Sequence, residues 1–93
     1  MSSEHKNILI TSAVRTAIGT FCGSLKNIQG HELGSFAIKE SIKQSNLKPN
    51  EVDELIMGQV LTGGTGQNPA RQAAVMAGLP VEKTAHIINQ VCG

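Results

Sequence analysis

"EVDELIMGQVLTGGTGQNPARQAAVMAG", residues 51–78, decides the fold. Its opening, Glu51 to Leu61, carries Leu55, Ile56, Met57 and Val60, a short apolar run that predicts a β-strand. "TGGTGQN" then turns the chain. "NPARQAAVMAG" predicts a short, well-punctuated helix. Asn68 can cap it, Pro69 suits the first helical position, and Gly78 suits the position after the C-cap, with Pro80 beyond. The helix body, Ala73 to Ala77, is small and apolar nearly all round, which suits a helix buried on most sides.

Outward from that stretch, "TAHIINQV", Thr84 to Val91, predicts a further strand. On the N-terminal side, "NILITSAV", Asn7 to Val14, is a β-branched run apolar on both faces, as in a parallel strand covered on both sides. "RTAIGTFCGSLKNIQG", Arg15 to Gly30, has no clean period and predicts a long loop, a length that is usually functional. "HELGSFAIKESIKQSN" predicts an amphipathic helix that ends near Asn46, before Pro49. Leu33, Phe36, Ala37 and Ser41 share one face there, Ile38 and Ile42 widen it, and Glu32, Lys39, Glu40 and Lys43 lie opposite. The order β–loop–α–β–α–β implies right-handed crossovers and a parallel sheet, an α/β fold. Three strands make an incomplete sheet, and no internal repeat or linker interrupts them.

The 93 residues suffice for one small domain. Charged residues make up 16%, below the roughly 25% of an ordinary soluble domain, and aromatics only 2%, Phe21 and Phe36. Such a chain is expected to bury itself against more protein. Eight Lys and Arg against seven Asp and Glu leave a net charge of +1 with no charge run. That excludes a basic footprint for nucleic acid. The longest apolar runs fall far short of the ~18 residues that span a bilayer. "MSSEHKNILI" lacks the apolar core of a secretory signal, so the expectation is a cytoplasmic chain with no membrane partner.

The candidate sites are few. Cys22 and Cys92 match no zinc or CxxC spacing and are expected to be free thiols in a reducing compartment, so no metal site is predicted. "GGTGQNP", 63–69, has Pro69 where a dinucleotide-binding loop has its third glycine, and lacks the Gly-Lys-Ser/Thr ending of a P-loop. It is expected to be backbone punctuation, not a cofactor cradle. His5, His31 and His86 are read as non-catalytic; an extended chain puts His86 about 20 Å from Cys92. Cys92 follows the last predicted strand, at the sheet edge where ligands bind in open α/β folds. A helix beginning there would favour a thiolate and offer free N–H groups to an oxyanion.

Three stretches, "SAVRTAIGTF" from Ser12, "GQVLTGGTGQNPARQAA" from Gly58 and "NQVCG" from Asn89, with "HELG" between, resemble the thiolase family, nearest its acetyl-CoA acetyltransferases. They occur in family order from about Ile8 onward. The resemblance implies the β-α-β-α-β parallel-sheet portion of the N-terminal half of a thiolase-like fold, incomplete, with residues 1–93 as a truncated part of the N-terminal domain. It implies that Cys92 is the nucleophile, acetylated by acetyl-CoA, and that its backbone N–H helps form an oxyanion hole. A second acetyl-CoA then attacks the acetyl-thioester to give acetoacetyl-CoA and CoA, or the reverse thiolysis runs. CoA thioesters are substrates, and no separate cofactor or metal is implied. Cys22 matches no catalytic position. The activating histidine, the second catalytic cysteine and the asparagine–water part of the oxyanion hole fall in family segments outside these residues. The chain alone is therefore expected to be inactive, and the complete enzyme to be a homo-oligomer, dimer or tetramer. The alternative is a non-catalytic thiolase fragment that associates with itself or with a complete thiolase.

Overall fold

A computed structural model of the chain describes residues 6–93. Helix α1 spans Gly30–Gln44, a 3₁₀ turn Pro49–Glu51, strand β1 Glu54–Gly58, helix α2 Pro69–Met76 and strand β2 Thr84–Ile88. The strands pair in parallel, with Glu54 opposite Thr84 and Gly58 opposite Ile88. The α/β class with a parallel sheet, read from the sequence, is the class observed.

Both helices end as their residues dictate. After α1, Asn46 takes φ 57°. Its N–H reaches the Lys43 carbonyl at 3.1 Å, and the Leu47 N–H reaches that of Ile42 at 3.2 Å. After α2, Gly78 takes φ 89°, with its N–H on Val75 O and the Leu79 N–H on Ala74 O, both at 3.0 Å. Each is a Schellman ending that satisfies two orphan carbonyls. At the start of α2, the Asn68 side chain accepts from the Arg71 N–H at 3.2 Å, the cap the sequence predicts.

The core is made of small residues. Ala70, Ala73, Ala74, Ala77 and Leu79 are buried, so α2 is enclosed as its composition predicts, although Val75 and Met76 stay about half exposed. Gly34 lets α1 approach closely: a Cβ there would lie 3.1 Å from Met57 Sδ and 3.5 Å from Ala73 Cβ. The one buried polar residue among those described, Ser35, gives its hydroxyl to Glu32 O at 2.7 Å. Both strands alternate exposed and half-buried along their length. Leu55, Met57, Ala85 and Ile87 are the shielded positions, whereas Ile56, His86 and Ile88 face outward.

One predicted element does not form. Asn7 to Val14 joins no ladder, and Ile8, Leu9 and Ile10 are exposed instead of covered on both faces. A ladder needs a neighbouring backbone about 4.8 Å away. Here a groove of about 520 Å³, lined by Ile10, Val14, Ile38, Ile42, Leu55 and others, separates this segment from β1. Side-chain hydroxyls hold it instead. Ser12 Oγ donates to Ser41 O at 2.9 Å and lies 2.7 Å from Ser41 Oγ, while Ser45 Oγ lies 2.9 Å from Ser12 Oγ and 2.8 Å from Thr11 Oγ1. The last strand is also shorter than Thr84–Val91, because the chain leaves the ladder after Ile88 and turns.

Candidate functional site around Cys92

The site lies past the C-terminal ends of both strands. Gln59 N–H donates to Ile88 O at 3.1 Å, one rung beyond β1. Asn89 Nδ2 donates to Val60 O at 3.2 Å, and Gln59 Nε2 to Leu61 O at 3.0 Å. A turn from Gln90 to Gly93 follows at once, closed by Gly93 N–H to Gln90 O at 2.9 Å. Cys92 sits inside that turn, exposed, with φ 54°. Left-handed backbone at a non-glycine residue costs of order 1–3 kcal/mol and holds only where the surroundings fix it.

Cys22 has a similar local setting. It is exposed at φ 55°, inside a turn closed by Gly23 N–H to Thr20 O at 2.9 Å. That turn belongs to the long loop before α1.

The glycine-rich loop is tied down by its own residues. Thr65 N–H and Thr65 Oγ1 both reach Thr62 O, at 3.2 and 2.6 Å. Gln72 Nε2 donates to the carbonyls of Thr65 and Gln67, each at 2.8 Å. Gly64 and Gly66 take φ 74° and 81°, which glycine tolerates without cost. This is turn chemistry of the kind the sequence suggests for residues 63–69. Arg71 fixes the next connection, donating to Lys83 O at 2.8 Å and to Val81 O.

The histidines lie apart. His31 stands in the first turn of α1, and His86 Nδ1 is 3.5 Å from Glu54 Oε1 on the exposed sheet face. Among the described residues neither is hydrogen-bonded to a cysteine. His5 lies outside the described residues. Also among the described residues, no group of three His, Cys, Asp or Glu could hold a metal ion, and no helix is long and apolar enough to cross a membrane.

Two features are missing from the sequence reading, and only one of them leaves a signal there. The Asn89 and Gln59 contacts leave no periodic signal, since each residue is merely the first polar one after a strand. The hydroxyl contacts of Ser12 do leave one: Ser41 sits on the apolar face of α1, where a polar residue needs a partner.

Residues 8–93 match the family described as "Thiolase, N-terminal domain". An acetyl-CoA acetyltransferase of Rhizobium meliloti is 56% identical over 90 residues, covering 97% of this chain and 23% of that protein. One of Clostridioides difficile is 52% identical over 88 residues, covering 95% of this chain and 82% of that sequence. Among solved structures, the Acat5 thiolase of Ascaris suum, in complex with coenzyme A, superposes with a TM-score of 0.86 at 40% identity, over 87% of this chain and 21% of that one. The chain thus spans less than a quarter of the length of the Rhizobium protein and of several other curated relatives it matches.

Proposed function

The chain belongs to the thiolase family, through that family's N-terminal domain, and from this premise we propose that Cys92 is the nucleophile of an acetyl-CoA C-acetyltransferase to which these residues contribute. The Cys92 thiolate attacks the carbonyl carbon of acetyl-CoA. The tetrahedral oxyanion collapses, the bond to the CoA sulfur breaks, and CoA leaves as a thiolate that takes up a proton. A second acetyl-CoA loses an α-proton to a base, and its α-carbon attacks the acetyl-Cys92 carbonyl. The bond to Cys92 Sγ breaks, giving acetoacetyl-CoA and a free thiolate. One difficult acyl transfer becomes two easier ones. Thiolysis is the same path in reverse.

The observation that carries this reading is the exposed thiol in a left-handed turn at the C-terminal edge of a parallel sheet. In α/β folds that edge is where ligands bind. The coenzyme A bound to the Ascaris thiolase supports CoA thioesters as substrates. Among the described residues neither His31 nor His86 is hydrogen-bonded to Cys92, so these residues by themselves are expected to give no turnover. The complete enzyme is a cytoplasmic homo-oligomer, where thiols stay reduced. The test supplies the chain with a complementing segment from a full-length relative, treats the mixture with acetyl-CoA, and maps the label by mass spectrometry. Acetyl on Cys92 is expected; acetyl on Cys22 with Cys92 unmodified overturns the assignment.

A second reading, a non-catalytic fragment that binds itself or a complete thiolase, is favoured by the exposure of Ile56 and Ile88 on the outward face of the sheet.

A further inference from the structure

We propose that Asn89 is a positioning residue for Cys92, acting through an interlock between the ends of β1 and β2. The proposal rests on the reading of Cys92 as nucleophile. Three hydrogen bonds make the interlock: Gln59 N–H to Ile88 O, Asn89 Nδ2 to Val60 O, and Gln59 Nε2 to Leu61 O. The orientation of the Asn89 carboxamide is fixed, because its flipped form would face one acceptor oxygen with another. The turn that carries Cys92 begins at the very next residue, Gln90.

The two cysteines show why the turn alone is not enough. Both occupy left-handed positions, φ 54° and 55°, and both turns close with a 2.9 Å bond onto the residue two before the cysteine. Local shape therefore does not single out Cys92. Among the described residues, no hydrogen bond from Thr20 to Gly23 reaches β1 or β2, whereas the Cys92 turn is anchored at its first step. A nucleophile must meet its carbonyl at a set distance and angle, so what matters is where the turn sits on the sheet. Asn89 sets that seat.

The test uses the whole 93-residue chain at low concentration and the isosteric substitution Asn89→Asp, which keeps the shape and removes the donor. Limiting iodoacetamide is added, and mass spectrometry reads the alkylation of Cys92 relative to Cys22 in the same molecule. Amide exchange of peptides covering β1 and β2 reports whether the sheet is intact. Asn89→Asp is expected to change the Cys92:Cys22 ratio about threefold or more, the effect of one net hydrogen bond, with strand exchange unchanged. Asn89→Gln retains a donor and is expected to stay within about twofold of the original ratio. An unchanged ratio in Asn89→Asp overturns the proposal. So does a loss of strand protection in the same variant, since Asn89 would then hold the sheet and not the turn. Acetylation of Cys92 is read separately, so failure of the nucleophile assignment is seen independently of failure of the interlock.

Discussion

Asn68 and Ala85 join the start of α2 to the middle of β2 through one carboxamide. Asn68 Nδ2 donates to Ala85 O at 3.1 Å, while its Oδ1 accepts the Arg71 N–H at 3.2 Å. The same residue holds φ 39°, a left-handed backbone that asparagine tolerates better than most. A helix cap and a tertiary tie thus share one side chain. Asn68→Asp is expected to keep the cap and lose the tie, destabilising by about 1 kcal/mol, whereas Asn68→Ala loses both and costs about 2 kcal/mol. Urea unfolding of the two variants side by side checks the order; equal losses would show that the bond to Ala85 contributes nothing.

Ser12 is the centre of the hydroxyl contacts that hold residues 10–14 to α1. Ser12→Ala is expected to free that segment while leaving β1 and β2 paired. The readout is amide exchange and limited proteolysis before Gly30. Faster exchange confined to residues 6–20 is the expected result, and faster exchange spread over α2 and β2 would show that the segment stabilises the whole chain.

These two sites mark where the sequence is legible. The caps and stops of α2 are local chemistry, so Asn68, Pro69 and Gly78 announce it without reference to the rest of the chain. The parallel pairing of β1 and β2 follows from the crossover between them. Asn7 to Val14 has the composition of a strand, but composition cannot say whether a neighbour stands within ladder distance, and here a groove does. For the site, Cys92 is visible through its place after a strand and through the family resemblance. Its tether through Asn89 is a contact between residues 29 apart in sequence, which no local pattern encodes.

The chain alone is expected to catalyse no thiolysis of acetoacetyl-CoA above a Cys92→Ala control. His86 faces Glu54 on the sheet, and His31 lies in the first turn of α1. Neither is hydrogen-bonded to Cys92 among the described residues, so the thiol has no base there. Thiolate and proton shuttle act as a unit, and one member alone gives little rate. Release of acetyl-CoA, followed by chromatography with purified chain, decides it; turnover that disappears in Cys92→Ala would show that a base is present within these 93 residues.

The chain is also expected to self-associate. Its radius of gyration is 15.2 Å, against about 12 Å for a compact domain of this length. Ile8, Leu9 and Ile10 project into solvent, and Ile56 and Ile88 are exposed as diagonal neighbours on the outward face of the sheet. A parallel sheet is ordinarily covered on both faces. Each of two paired strands also presents one open edge, a template for another chain. The buried core, four alanines and one leucine, offers little area to offset the entropy of ordering the backbone. Pairing of edges and burial of Ile56 and Ile88 are therefore the nearest gains open to the molecule. Sedimentation velocity across a dilution series should show an average mass above the monomer that falls on dilution. Ile56→Lys with Ile88→Thr should lower that mass at fixed concentration by removing these exposed apolar side chains without touching the shielded face. A monodisperse monomer at every concentration, with β1 and β2 amides protected to one common stability, would mean that the two helices suffice to stabilise the sheet from a single side.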